Sequence, residues 1–300
     1  MFKIGWCFSD VVIVKKHVEK SWKIKFMFYI CILVMVTQVN LRKMLEDKMR
    51  RKPNKWLVAL IRWVLIEDWL NEHMANIGDK EGVDFMQGVV DELDIKVKVF
   101  GEENLPQAGT PYMFVCNHPL GGVDVVSVAS VVGKHYPEGL KIPANDFLML
   151  LTGIKDMLIP VNKIGGQSRS LSDKINQAYA SDSQLMFFPA GKVSRKNKGV
   201  IADDEWKKNF VAKSIEYKRD IVPIRIDAKN SRLFYFIAKL RAKLGIKFNI
   251  EMALLVRELR KQMHNTIKIT IGSPISYSSL DGTKTPYQWA QVIREKVYNL

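Results

Sequence analysis

The chain has 300 residues, of which 47% are apolar and 26% charged, a globular composition able to bury a sizeable core and unlike that of a disordered chain. Its three cysteines, Cys7, Cys31 and Cys116, show no motif spacing, which argues against a disulfide framework and against a zinc site. The net charge of +15 is uneven, because residues 1–55 hold 13 Lys plus Arg against four Asp plus Glu. Such a basic end suits an anionic surface (membrane lipid, nucleic acid or an acidic carrier protein), or is a solvated basic face.

In chain order, the first element is Phe26–Val36, eleven unbroken apolar residues. It is shorter than the roughly 20 residues needed to span a bilayer and lacks a signal-peptide cleavage site. A short anchor, an interfacial segment and a buried helix all fit; Met44 offers a later start of translation. The cluster Lys48-Met49-Arg50-Arg51-Lys52-Pro53-Asn54-Lys55 comes next, with Asn54 placed to cap a helix. The spacing predicts that helix over Trp56–Met74, with Trp56, Leu60, Trp63, Leu65, Ile66, Trp69 and Leu70 on a broad apolar face. Three tryptophans beside basic residues suit a membrane interface, and equally a helix docked on the domain by its Trp face.

From about Asp94 short apolar runs alternate with helical stretches. Strands are predicted at Ile95–Phe100, Tyr112–Cys116, Met157–Val161, Gln184–Phe188, Ile221–Ile226 and Thr266–Ile271. Helices are predicted at Asp124–His135, Asp146–Leu151, Ser168–Ala180, Glu205–Tyr217, Arg232–Leu244 and Pro286–Leu300. This alternation predicts an α/β fold, a mixed, largely parallel sheet flanked by helices, with an N-terminal basic amphipathic helical region. The expected organisation is an extension (1–43), a helical membrane-proximal region (44–93) and an α/β domain (94–300).

The richest stretch is Asn117-His118-Pro119-Leu120-Gly121-Gly122-Val123-Asp124. It puts a histidine at the end of a strand, in a glycine-containing turn, with a carboxylate six positions on. Open α/β sheets carry reactive groups at the carboxyl ends of strands. A carboxylate that accepts one imidazole N–H leaves the other nitrogen free as a base. The plainer alternatives are that His118 is a turn residue before proline and that Asp124 caps the next helix. Phe187-Phe188-Pro189-Ala190-Gly191-Lys192-Val193-Ser194-Arg195 leaves another strand in a turn where Pro189 and Gly191 allow close backbone approach. Lys192 and Arg195 stand where they could grip a phosphate, or are simply solvated. Met157-Leu158-Ile159-Pro160-Val161-Asn162-Lys163 ends a third strand in a lysine, with Gly165-Gly166 and the cap Ser168 beyond it. Ile221-Val222-Pro223-Ile224-Arg225-Ile226 reads as a core strand in which Pro223 could shape a bend.

Together these segments resemble the four ordered blocks of the glycerolipid acyltransferases, over roughly residues 95–275. Two features depart from the family pattern: five residues, Pro119 to Val123, separate His from Asp where four are usual, and Ala190 stands in place of a glutamate. With Gly121-Gly122, both look like the hemolysin-like branch, which includes bacterial enzymes that make aminolipids. The resemblance implies acyl transfer from a thioester of coenzyme A or acyl carrier protein, with His118 as base and Asp124 orienting it. It implies substrate contacts at Asn117, Gly121, Gly122, Lys163, Pro189, Gly191, Lys192 and Arg195. No bound cofactor, no metal and no nucleic acid is expected. The expected partners are membrane lipids and an acyl carrier protein, at the cytoplasmic face of a membrane. The acceptor is expected to be a lysophosphatidate-like molecule or an amino-acid lipid. A non-catalytic basic membrane-binding or lytic protein is the competing expectation.

Overall fold

A computed structural model describes residues 41–42, 46, 52–137, 139–144, 152–160, 169–246 and 249–300. The apolar run Phe26–Val36, the expected helix Asp146–Leu151, and Lys163, Gly165-Gly166 and Ser168 lie outside the described residues.

Asn54 caps helix α1 (Lys55–Leu65), its Oδ1 accepting the Trp56 N–H at 2.9 Å. The single helix expected over Trp56–Met74 is two. Ile66 adopts a left-handed conformation (φ 44°, ψ 49°), and α2 runs over Glu67–Ile77. Three contacts hold the break. Arg62 pairs across it with Glu67 and Asp68, and the Glu67 Oε1 accepts the Leu41 N–H at 2.9 Å. Each short helix then buries its own stripe: Val58, Ile61 and Leu65 in α1, and Leu70, Met74 and Ile77 in α2. Trp56, Leu60 and Trp63 are left outside. Helix α3 (Gly82–Glu92), absent from the sequence expectation, comes next and packs on the helix after the second strand.

The sheet begins with β1 (Lys96–Phe100) and β2 (Met113–Cys116), and helix α4 (Gly122–His135) is the one that α3 contacts. Strands β3 (Leu140–Ala144) and β4 (Leu158–Pro160) precede α5 (Arg169–Ala180) and β5 (Gln184–Phe187). A small hairpin, β6 (Arg195–Asn197) and β7 (Val200–Ala202), leads to α6 (Asn209–Tyr217) and β8 (Ile221–Asp227). Then come α7 (Arg232–Lys243), a 3-10 turn at Ile250–Leu254, α8 (Leu255–Lys261), β9 (Thr266–Ile271) and α9 (Pro286–Tyr298).

Seven strands form one sheet in the order β1-β9-β8-β2-β5-β3-β4. All neighbours are parallel except β8 and β9. The fold is thus the mixed, largely parallel α/β sheet flanked by helices that the alternation predicts. Strand β2 is central, between β5 and β8, and all four of its residues are buried. Phe114 and Cys116 face a core shared with α1 to α4 and α8, whereas Met113 and Val115 face Trp206, Phe210, Ile293 and Val297. Burial on both faces explains why its sequence is uniformly apolar rather than alternating. Pro223 does not interrupt β8. Its carbonyl accepts the Gly272 N–H at 2.8 Å, and the pairing with β9 slips by one residue there, from Ile224–Ile271 to Ile221–Ile275. Three expectations are corrected further. The helix from Glu205 starts only at Asn209, because Asp203 and Trp206 serve buried contacts ahead of it; β3 and the β6–β7 hairpin were unforeseen. Among the described residues no helix is long and apolar enough to cross a membrane.

Candidate active site

Strand β2 delivers its last residue next to β8, and Asn117 fixes the path of the chain beyond it. The Asn117 Nδ2 donates to the Ile226 carbonyl at 2.9 Å and its Oδ1 accepts the Ile226 N–H at 2.7 Å. The amide therefore extends the ladder one step beyond the strand and sets the direction of the turn. His118 comes next, held by its backbone from both sides. Its N–H donates to the Asp203 carboxylate at 3.2 Å, and its carbonyl accepts the Ser194 N–H at 2.8 Å.

The imidazole Nδ1 lies 3.0 Å from Asp124 Oδ2, and the ring packs on Phe188 with centroids 4.5 Å apart. His118 keeps 16% of its side chain exposed, whereas Asp124 keeps none. Asp124 does two jobs at once. As the third residue of α4 its Oδ2 also accepts the Leu120 and Gly121 N–H groups, at 2.8 and 2.9 Å. Burial pushes its carboxyl above the usual carboxylate range, and the contact with His118 and the two backbone N–H groups pull back toward the charged form. An oxygen that already accepts two N–H bonds favours Nδ1–H on the ring, which leaves the Nε2 lone pair for a substrate proton.

Gly121 makes the turn possible. Its φ of 91° and ψ of −125° suit glycine alone, and a Cβ there would sit 3.1 Å from Leu255 and 3.3 Å from Val193. Gly122, exposed, opens α4. The Pro119 carbonyl accepts the buried Asn230 Nδ2 at 2.9 Å, which ties this turn to the start of α7.

The second loop leaves β5 at Phe188. Ala190 is buried, Pro189 is buried beside it, and Gly191 takes a φ of 65°. Lys192 is half-exposed, with Nζ 2.5 Å from Asp204 Oδ2. Arg195 is placed differently from a free anion grip. It is buried; Nη2 meets Glu251 Oε1 at 2.7 Å, Nη1 donates to the Val193 carbonyl at 2.6 Å, and the guanidinium lies over Phe234. Burial lowers its pKa and Glu251 raises it again. So the structure gathers His118, Asp124, Gly121 and the Phe188–Ser194 loop, keeps Lys192 at the rim, and commits Asn117 and Arg195 to internal partners.

Asp203 was not singled out in the sequence. Its buried carboxylate accepts Ser194 Oγ at 2.5 Å and Trp206 Nε1 at 2.9 Å besides the His118 N–H. Its own N–H donates to Tyr298 Oη at 2.7 Å, and Arg294 donates to its carbonyl at 2.6 Å. Burial and Asp203 push the Tyr298 phenol up to about 12, so it stays protonated. The hairpin explains its place. Lys198-Gly199 is a two-residue loop with positive φ at both positions, the geometry of a tight hairpin turn that returns the chain to Ser194. Cys116 offers no nucleophile, because burial raises its thiol well above the ordinary range. Among the described residues no cluster of three or more His, Cys, Asp or Glu could hold a metal ion.

Residues 46–300 match a family model described as acyltransferase. The chain is 42% identical over 265 residues to a lyso-glycine lipid O-acyltransferase of Phocaeicola vulgatus, covering 87% of this chain and 95% of that protein. It is 43% identical over 246 residues to a lyso-glycine lipid O-acyltransferase of Bacteroides thetaiotaomicron, covering 82% and 90%. Among solved structures it is similar to the 1-acyl-sn-glycerophosphate acyltransferase of Thermotoga maritima, at 13% identity, TM-score 0.41 and coverage of 81% and 92%.

Proposed function

The chain belongs to the acyltransferase family, and from that premise we propose that it transfers a fatty acyl group from a thioester to the hydroxyl of a monoacylated amino-acid lipid. The observation that carries the chemistry is the His118 Nδ1 to Asp124 Oδ2 contact of 3.0 Å at the carboxyl end of the central strand. The acceptor class is supported by two relatives above 40% identity whose names specify lyso-glycine lipid, and by Ala190 where the related lysophosphatidate enzymes have glutamate.

His118 Nε2 takes the proton of the acceptor O–H as the oxygen attacks the thioester carbonyl carbon. A C–O bond forms, the C–S bond breaks, and the thiolate leaves with the proton from the imidazolium. Asp124 holds the ring and stabilises its cation. No acyl group is carried on the protein. A positioned base contributes about 10²–10⁴-fold, so alignment of the two substrates supplies much of the rest. The donor thioester is on coenzyme A or acyl carrier protein. Lys192, with Lys163 from the segment after β4, is the candidate contact for an anionic group of either substrate. The enzyme works at the cytoplasmic face of a membrane, held there peripherally or by a short anchor.

Lipid mass spectrometry of cells with and without the chain tests this reading. The expected result is loss of a diacylated amino-acid lipid with gain of its monoacylated precursor. A fall in phosphatidate with an unchanged aminolipid pool would replace the acceptor by lysophosphatidate, and no change in any acylated lipid would overturn the reading.

A further inference from the structure

Helix α7 carries an outward face that no described part of the fold covers. Phe234, Tyr235 and Ala238 are buried. On the opposite side Leu233 is 52% exposed, Phe236 61%, Leu240 42% and Leu244, just past the helix, 63%. Their spacing of three, four and four residues sets them along one stripe of a helix. Water-facing helices do not gather such a stripe without a use, and contiguous exposed apolar surface marks an interaction site. The charge is equally one-sided. Residues 232–244 contain Arg232, Lys239, Arg241 and Lys243 and no acidic residue. At 100° per residue, Arg232, Lys239 and Lys243 fall together along one margin of the stripe. Arg241 falls on the other margin and meets Glu251 Oε2 at 3.0 Å.

We propose that this face of α7 is a membrane-docking surface, whose apolar stripe enters the boundary between headgroups and acyl chains of an anionic bilayer while its basic margin pairs with lipid phosphates. The inference rests on the lipid-acceptor reading above. Two further observations favour a bilayer over another occupant. First, α1, with exposed Trp56, Leu60 and Trp63, packs on the same Ile250–Leu254 turn as α7, so a second element with exposed apolar residues, here tryptophans, meets the same turn. Amphipathic aromatic rings settle at headgroup level. Secondly, α7 starts beside the reactive turn. Asn230, one residue before the Ser231 cap, bonds the Pro119 carbonyl, and Ser231 is anchored by Glu258 at 2.6 and 2.7 Å. An α7 seated in the bilayer surface therefore holds His118 near the depth at which a lyso-lipid presents its hydroxyl. This supplies a lipid contact made by the α/β domain itself, independent of the N-terminal region.

The test uses the full chain and two vesicle compositions, neutral phosphatidylcholine alone and phosphatidylcholine with phosphatidylglycerol. The double substitution F236E/L240E and the pair K239Q/K243Q are compared with wild type by vesicle co-sedimentation, by melting temperature, and by turnover of a short-chain, monomeric lyso-lipid. F236E/L240E is expected to lower binding to both vesicle types by about tenfold or more, since it puts charge into the apolar stripe. K239Q/K243Q is expected to weaken binding to the anionic vesicles alone. Both should melt like wild type and turn over the monomeric acceptor at the wild-type rate. Wild-type vesicle binding by F236E/L240E would overturn the proposal. So would a wild-type dimer that this change splits without loss of vesicle binding, which would make a second copy the occupant. Loss of turnover confined to an acyl carrier protein donor, with vesicle binding intact, would make an acidic protein the occupant. Vesicle binding is read without catalysis, so a wild-type chain that binds but acylates no lipid refutes the functional reading and not this surface.

Discussion

His118→Ala removes the proposed base and leaves the fold, because the backbone of residue 118 makes its bonds to Asp203 and Ser194 through its own N–H and carbonyl. Acyl transfer by the purified variant should fall by roughly 10²–10⁴-fold with an unchanged melting temperature. Wild-type turnover would remove His118 from the chemistry. Asp124→Asn separates function from stability. The folded protein holds this carboxyl above its unfolded pKa, so across that window the folded state binds more protons than the unfolded chain. Stability then falls as pH rises through the window, and at neutral pH an ionised Asp124 is a cost to folding. The asparagine variant should melt no lower than wild type at pH 7, flatten the pH dependence of the melting temperature above about pH 4, and lose about 10²-fold or more in turnover. An asparagine variant that melts well below wild type, or that turns over at the wild-type rate, would overturn the role it contradicts. Asp203→Asn weakens the backbone clamp on His118 without touching substrate. It should lower kcat by roughly tenfold or more while leaving KM for the acyl donor near wild type, which a general loosening of the fold would not do.

At the scale of elements, the turn between β2 and α4 is the most demanding. Gly121→Ala meets both a forbidden backbone region and the Leu255 and Val193 side chains, and should destabilise by about 1–3 kcal/mol in denaturant unfolding. A shift below about 0.5 kcal/mol would mean that the turn relaxes freely. The sheet strands near the site were legible because burial on both faces makes them short unbroken apolar runs, as in Met113–Cys116 and Ile221–Ile226. Thr266–Ile271 was legible for the opposite reason, since it alternates between buried and exposed residues. The break at Ile66 was not. A β-branched residue in a left-handed conformation leaves no composition signal, and it is held by Arg62, Glu67 and Leu41 rather than by a glycine or proline. The proximity of His118 to Asp124 was readable locally, because the two stand six positions apart around one turn. The role of Asp203 was not, because it acts across 85 residues of chain through a hairpin.

For the whole molecule, the surplus of basic residues is concentrated ahead of the α/β domain, in residues 1–55. Each basic group near an anionic membrane surface contributes about 1 kcal/mol, and salt screens it. Binding of the full chain to phosphatidylglycerol vesicles should therefore weaken steadily between low and high salt. Arg50→Gln, Arg51→Gln and Lys52→Gln together should reduce both the affinity and its salt dependence. Salt-independent binding would assign attachment to apolar insertion instead, with Phe26–Val36 and α7 as the segments to examine. Burial of Arg195 against Glu251 also changes what mutagenesis of the second loop can report. Arg195→Ala removes one of the two arginines that meet the buried Glu251 carboxylate and leaves it with Arg241 of α7, so a lowered melting temperature is expected alongside any kinetic effect.

The clamp on His118 also has a consequence in time. Asp203 is fastened by the Tyr298 hydroxyl and the Arg294 guanidinium, and the Tyr298 carbonyl accepts Arg225 at 2.6 Å from β8. The reactive turn lies at residues 117–124, but its backbone is locked by α9, which follows every strand of the sheet in the chain. A nascent chain with every strand of the sheet already synthesised still lacks that lock until residue 298 has cleared the exit tunnel. The lock on the reactive turn therefore forms only after the whole sheet has been made.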